Sequence, residues 1–297
     1  MSSSPTANSL LTLPMILLRL APVLFVFFWS TGFVGAKYGL PYAEPLTFLL
    51  LRYSAVIVLM ALGAWMSRAP WPTDARQWWH LFVVGLLMQA LYLGGVFVAI
   101  RQGLPAGLVS LLVGLQPLLT ATLAGLLIGE RVSLRRWLGL LLGLTGLVMV
   151  LTARLEGGLG WSGVWPALLA LLAITLGTLY QKRFCPHFDW RSGAVIQFGA
   201  AWLVTLPVAW LMEDFRVQWT GEFVFALGWL VLVLSIGAVG LLNHLIRAGT
   251  SVNVASLFYL VPPSTAIIAW LVFGETLTLI QFIGLLVAVM GVSLVRR

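Results

Sequence analysis

Two cations stand inside otherwise apolar runs, and they set the chemistry open to this chain. Arg52 falls about two turns into the run 45–66, where an uncompensated guanidinium costs several kcal/mol. Two roles fit such a position. Its planar fork can hold a substrate carboxylate bidentately, or it can bond backbone carbonyls near a helix end and snorkel outward. Lys37 lies close to the end of the run 21–40. Its stem reaches the headgroups from there, and it also suits a cationic gate at the mouth of a cavity.

Polar groups accompany these cations at depth. Trp29, Tyr92, Tyr180 and Tyr259 lie inside apolar runs, and a buried indole N–H or hydroxyl needs a partner. Packing or a pocket supplies one. Ser30, Thr31, Gln89, Gln116, Thr178, Gln181, Asn243, His244 and Ser256 add donors and acceptors. Gln116 precedes Pro117, and Pro262-Pro263 interrupts a later run. Each proline removes a helix donor and frees a carbonyl one turn back, so Pro117 and Pro262 are candidate hinges or simple kinks.

Other chemistries lack their groups. No carboxylate lies in the middle of an apolar run, no HExxH motif occurs, and His80, His187 and His244 are scattered. The single cysteine, Cys185, excludes a disulfide within the chain and a cysteine-based metal cluster. No cofactor and no metal are therefore expected, and an intramembrane enzyme is rejected. Glu130 and Glu275 follow glycines at run ends and are read as caps of the following helices, with proton coupling as their alternative.

The elements that position these residues are membrane helices. The 297 residues are 61% hydrophobic and 9% charged, with a mean hydropathy of +1.02. A soluble domain would carry about 25% charged residues. Spans of about 20 apolar residues are expected at 21–40, 45–66, 80–100, 104–128, 136–153, 161–182, 194–212, 223–245, 252–273 and 278–295. Residues 1–20 are expected to form a disordered tip and an interfacial segment, without a cleaved leader. The net charge of +8 reflects loop cations, so nucleic acid is not an expected partner. With both termini inside, twelve basic residues fall on the cytoplasmic face and three (Arg101, Arg154 and Arg216) on the outer face.

The chain also repeats itself at a displacement of 145 residues. Gly32, Lys37 and Pro41 return as Gly177, Lys182 and Pro186, and Gly129-Glu130 returns as Gly274-Glu275. Across 107–150 against 252–295 there are 16 identities in 44 positions. Two units follow, 21–153 and 161–297. Each holds five spans, so the second must enter the membrane inverted. The expected fold is an all-α integral membrane protein of ten helices, an inverted five-plus-five repeat with N-in/C-in orientation. Gly139, Gly143 and Gly146, repeated in Gly284 and Gly291, make small-residue faces. These suit packing within one half or a dimer, and a monomer is the expectation.

At these residues the chain resembles the EamA-like branch of the drug/metabolite transporter superfamily. The resemblance rests on Trp29-Ser-Thr-Gly-Phe33, on Pro45-Leu-Thr-Phe-Leu-Leu-Leu-Arg52 and on the equally spaced units Pro117–Glu130 and Pro262–Glu275. It covers roughly residues 21–296. It implies a secondary transporter in a bacterial-type inner membrane, moving a small metabolite by alternating access through a cavity lined by both halves. Cationic and aromatic lining without deep acids favours amino acids, bulky or aromatic ones first, and export. Another metabolite or drug class, or a non-transporting scaffold, is the competing reading. The site residues expected are Trp29, Ser30, Lys37, Arg52, Gln89, Tyr92, Gln116, Tyr180, Asn243, His244 and Tyr259.

Overall fold

A computed structural model describes residues 9–116, 118–120, 123, 134–155, 161–239, 241, 257–275 and 278–294. Among them there is no strand; besides two short 3-10 turns (Trp161–Gly163 and Phe258–Leu260) there are ten longer helices. We number them α1 (Ser9–Gly39), α2 (Pro45–Met66), α3 (Ala75–Arg101), α4 (Ala106–Gly114), α5 (Leu134–Leu155), α6 (Val164–Phe184), α7 (Trp190–Met212), α8 (Gly221–Ala238), α9 (Val261–Phe273) and α10 (Leu279–Leu294). They fall in the order of the ten expected spans. Six (α1, α2, α3, α6, α7 and α8) hold stretches long and apolar enough to cross a bilayer, and the other four hold shorter ones.

Capping explains where the sequence-based boundaries miss. α7 begins at Trp190 rather than 194 and α3 at Ala75 rather than 80. Arg191 and Arg76 read as breaks, yet each follows an aspartate that caps the helix. Asp189 accepts from the Arg191 amide at 2.9 Å, and Asp74 accepts from the Arg76 amide at 3.0 Å. α1 runs unbroken from Ser9 across the expected boundary at residue 20. α2 starts on Pro45, whose fixed φ suits a first turn. Its open amides are closed from another helix: Glu213, just past α7, accepts from Leu46 N (2.8 Å), Thr47 N (2.7 Å) and Thr47 Oγ1 (2.8 Å). Glu44 returns the contact, accepting from Asp214 N and Arg216 N.

The two halves are wrapped around each other. α1 packs on α8 and α9, and α6 correspondingly on α3 and α4; α2 packs on α7, α4 on α9 and α5 on α10. The α5–α10 contact is the most extensive, and it is reciprocal under the 145-residue shift. A Cβ on Gly146 would lie 2.4 Å from Gly284 O and 2.5 Å from Ala288 N; one on Gly291 would lie 2.6 Å from Gly139 O and 2.5 Å from Gly143 N. Later residues of α5 thus meet earlier residues of α10, and the reverse, so the two helices run antiparallel. The small-residue faces are used inside the molecule: Gly146 and Gly291 each make contact across the halves, and a Cβ on Gly143 would meet Leu118 and Leu115 within the first half.

The loops sort to two ends. At one, Arg101 donates to Leu40 O, Gln218 N donates to Tyr42 O, and Glu44 and Glu213 hold their partners. At the other, Ser192 donates to Pro70 O and His80 meets Tyr180. Between the ends the exterior is apolar: Val58, Leu203, Leu232 and Ile267 are all more than half exposed. Such a surface suits acyl chains rather than water.

Candidate functional site

Arg52 is buried, at 4% exposure. α2 presents it to α8 of the opposite half, where it donates from Nη2 to Ser235 Oγ at 3.1 Å and from Nε at 3.4 Å. No carboxylate among the described residues pairs with it. The ionisable groups its charge reaches are the buried hydroxyls of Tyr53 and Tyr92. Its Nη1 donates to no described residue. A full positive charge held at depth, among the described residues, by one serine leaves hydrogen-bonding capacity for an anion.

Tyr53, next in sequence, turns to the other side and donates to Gln89 O at 2.7 Å. Gln89 lies in a π-helical segment of α3, Leu86–Leu91, with Tyr92 directly after it. α8 carries a longer π-helical segment, Trp229–Ala238, and Ser235 belongs to it. π-Turns displace backbone carbonyls from the usual ladder, and the segment in α3 gives Tyr53 its acceptor.

A second polar cluster joins α1 to α8 and α9. Ser30 is fully buried and donates to Val26 O at 2.7 Å and Val261 O at 3.3 Å. Thr31 Oγ1 accepts from Trp229 Nε1 at 2.9 Å. Trp29 is half-buried against Phe25 and Phe258, with ring centroids 5.3 and 5.1 Å away. On the opposite side Gln116 Nε2 donates to Thr178 Oγ1 at 3.1 Å, bridging the end of α4 to α6. Pro262 sits in the first turn of α9, right after a 3-10 turn at Phe258–Leu260. Its missing N–H therefore falls where a helix has no internal acceptor to offer.

Lys37 and Tyr180 lie at opposite ends of the bundle instead of beside Arg52. Lys37 forms an ion pair with Glu275 across the halves and lies over the Phe273 ring, 4.6 Å from its centroid. Glu275 consequently does not cap the next helix. α10 is capped by a reciprocal Thr278/Gln281 box, with Thr278 N donating to Gln281 Oε1 at 2.9 Å and Gln281 N to Thr278 Oγ1 at 3.3 Å. Tyr180 lies in the last turns of α6, with its hydroxyl 2.8 Å from His80 Nδ1 and both rings against Phe184. Nearby, hydrogen bonding from Arg191 holds the Asp189 carboxyl below its ordinary pKa, and burial pushes the Cys185 thiol up. Pro117, Glu130, Asn243 and His244 lie outside the described residues; Tyr259 is described through its backbone alone.

The sequence of this bundle matches the EamA-like transporter family twice, over residues 15–152 and 161–297. The chain belongs to the EamA-like transporter family. It is 27% identical to the uncharacterized transporter YvbV of Bacillus subtilis (strain 168), over 91% of this chain and 88% of that protein. It is 26% identical to the uncharacterized inner membrane transporter YedA of Escherichia coli (strain K12), covering 94% and 91%. A probable amino-acid metabolite efflux pump of Salmonella typhimurium is 26% identical, with 91% of each chain covered. A solved crystal structure shares the fold with a TM-score of 0.63 at 19% identity, covering 94% of this chain and 96% of that one. This EamA-like chain is thus a multi-pass membrane protein of a transporter family.

Sequence reasoning missed Ser235, Tyr53 and the Lys37–Glu275 pairing. A signal existed for the first: Ser235 interrupts the run Trp229–Ala238 with a hydroxyl. Tyr53 stood beside Arg52 but gave no sign of which face it took.

Proposed function

We propose that this chain exports amino acids, bulky or aromatic ones first, across a bacterial-type inner membrane. It works by alternating access between two inverted five-helix halves, with ten spans and both termini inside. One observation carries the substrate reading: the buried Arg52 guanidinium, tied across the halves to Ser235 and lacking an acidic partner among the described residues. A carboxylate is the natural counter-ion for that fork, and its binding offsets the cost of burying the charge. Trp29 and Phe258 offer aromatic surface for a bulky side chain. Tyr92, Gln89 and Gln116 line the approach, and Asn243, His244 and Tyr259 complete the set. Pro117 serves as a hinge, whereas Pro262, in the first turn of α9, frees no carbonyl and marks a helix start.

Alternation draws support from the reciprocal antiparallel α5–α10 contact and from the sorting of loops to two ends. The Lys37–Glu275 pair closes the outer end in this state. The glycine faces are consumed within the chain, which favours a monomer. The protein is not an enzyme, and it takes no cofactor, metal or nucleic acid.

Uptake and counterflow of a labelled amino-acid panel into liposomes holding the purified protein, with and without a pH gradient, test the reading. Saturable movement of aromatic or branched amino acids is expected. Movement confined to sugars, nucleosides or cationic drugs would overturn the substrate class, and movement of no solute would favour a scaffold.

A further inference from the structure

The two π-helical segments occupy equivalent places in the repeat. Leu86–Leu91 shifted by 145 gives 231–236, which lies within Trp229–Ala238. A π-segment is uncommon, and a mid-helix pair in corresponding helices of both halves marks a point where the helix geometry is set apart from its flanks. Each segment is fastened by α2, through neighbouring residues facing opposite ways. Tyr53 donates to Gln89 O in the α3 segment. Arg52 donates to Ser235 Oγ, and Ser235 in turn donates to Leu230 O, five residues back within the α8 segment. The α8 fastening is therefore a relay, guanidinium to hydroxyl to backbone carbonyl. The α3 fastening is a single direct bond.

The two fastenings differ in what can undo them. Tyr53 is fully buried, and its hydroxyl is committed to a carbonyl. Arg52 carries a charge that any incoming anion competes for, and a serine hydroxyl is a weaker acceptor than a carboxylate. Close packing keeps α3 from shifting as a whole: a Cβ on Gly85, at the foot of its π-segment, would come within 2.3 Å of Gln197 O on α7. At Gly228, at the foot of the α8 segment, an added Cβ would meet nothing within 4 Å.

We propose that the two π-segments are the bending points of the transport cycle, and that Arg52 and Tyr53 are the positioning residues that lock them. A carboxylate binding Arg52 draws the guanidinium from Ser235 and releases the α8 segment, while Tyr53 keeps the α3 segment fixed. Substrate occupancy is thereby converted into bending of one half before the other. The release step rests on the carboxylate reading given above; the locks themselves do not.

Hydrogen–deuterium exchange on the full-length protein in lipid nanodiscs tests both parts. Ser235→Ala and Arg52→Gln are each expected to speed amide exchange in 229–238 roughly tenfold, with 86–91 unchanged, as loss of one charge-assisted bond implies. Tyr53→Phe should do the reverse. Ser235→Thr, which keeps a hydroxyl, should restore wild-type exchange. A variant that loosens both segments alike, or neither, overturns the locks. L-Phenylalanine added to wild type should speed 229–238 alone. If the same preparation transports phenylalanine while that segment stays unchanged, the release step is overturned. If phenylalanine is neither bound nor moved, the substrate reading falls and the variants alone decide the locks.

Discussion

Removing the Glu275 charge should open the end of the bundle that the Lys37–Glu275 pair holds, the outer end in the proposed orientation. The pair joins α1 to the end of α9 and thus one half to the other, with side-chain exposures of 31% for Lys37 and 12% for Glu275. A fully exposed pair contributes about 0–1 kcal/mol, and breaking a buried one costs about 3–5. Intermediate exposure places Glu275→Gln at about 1–2 kcal/mol against the closed state. The cation–π contact with Phe273 survives, because Lys37 is retained. At about 1.4 kcal/mol per factor of ten, the outward-open population should rise roughly 5- to 30-fold. Labelling of Thr31→Cys by a membrane-impermeant maleimide reads this population, since Thr31 lies deeper in α1 than Lys37. The native Cys185 stays silent because it is buried at the opposite end and its thiol pKa is raised. The charge-reversed double variant Lys37→Glu/Glu275→Lys should return labelling toward wild type. Unchanged labelling in Glu275→Gln, or a double variant as open as the single one, would refute a gate made by this pair.

Other consequences are as specific. Gly146→Leu should lower the melting temperature in detergent by the equivalent of about 3 kcal/mol or more, because its side chain meets the α10 backbone; Gly63→Ala, with nothing within 4 Å, should stay within about 1 kcal/mol. Glu213→Gln should cost about 1–3 kcal/mol by weakening three bonds to the start of α2, read in the same melt. Asp189 has a lowered pKa, so its cap on α7 is fully present above the ordinary carboxylate range and is lost only as pH falls through the depressed value. Exchange protection at Arg191 and Ser192 should accordingly be flat from about pH 8 to 5.

The all-helical membrane architecture was legible because the length and apolar composition of the spans are properties of the chain itself. Arg52 was legible too, since a lone guanidinium in an apolar run is costly wherever the chain folds. What escaped was partner choice. Glu275 read as a helix cap, although Thr278-x-x-Gln281 already spelled a capping box and freed it for Lys37. The partner of Tyr180 was equally hidden: four residues from the end of α6 it meets His80, a contact between residues 100 apart in the chain. The π-segments had no sequence signature: nothing in Leu86–Leu91 or Trp229–Ala238 sets them apart from the apolar helix around them.

Whether Arg52 reads a carboxylate is decided by competition in proteoliposomes between labelled L-phenylalanine and two unlabelled analogues, phenylalaninamide and 3-phenylpropionate. The first lacks the carboxylate and the second keeps it. If Arg52 reads the carboxylate, 3-phenylpropionate competes, phenylalaninamide is at least tenfold weaker, and Arg52→Gln erases the difference. Equal competition by both analogues in the wild-type protein would contradict it.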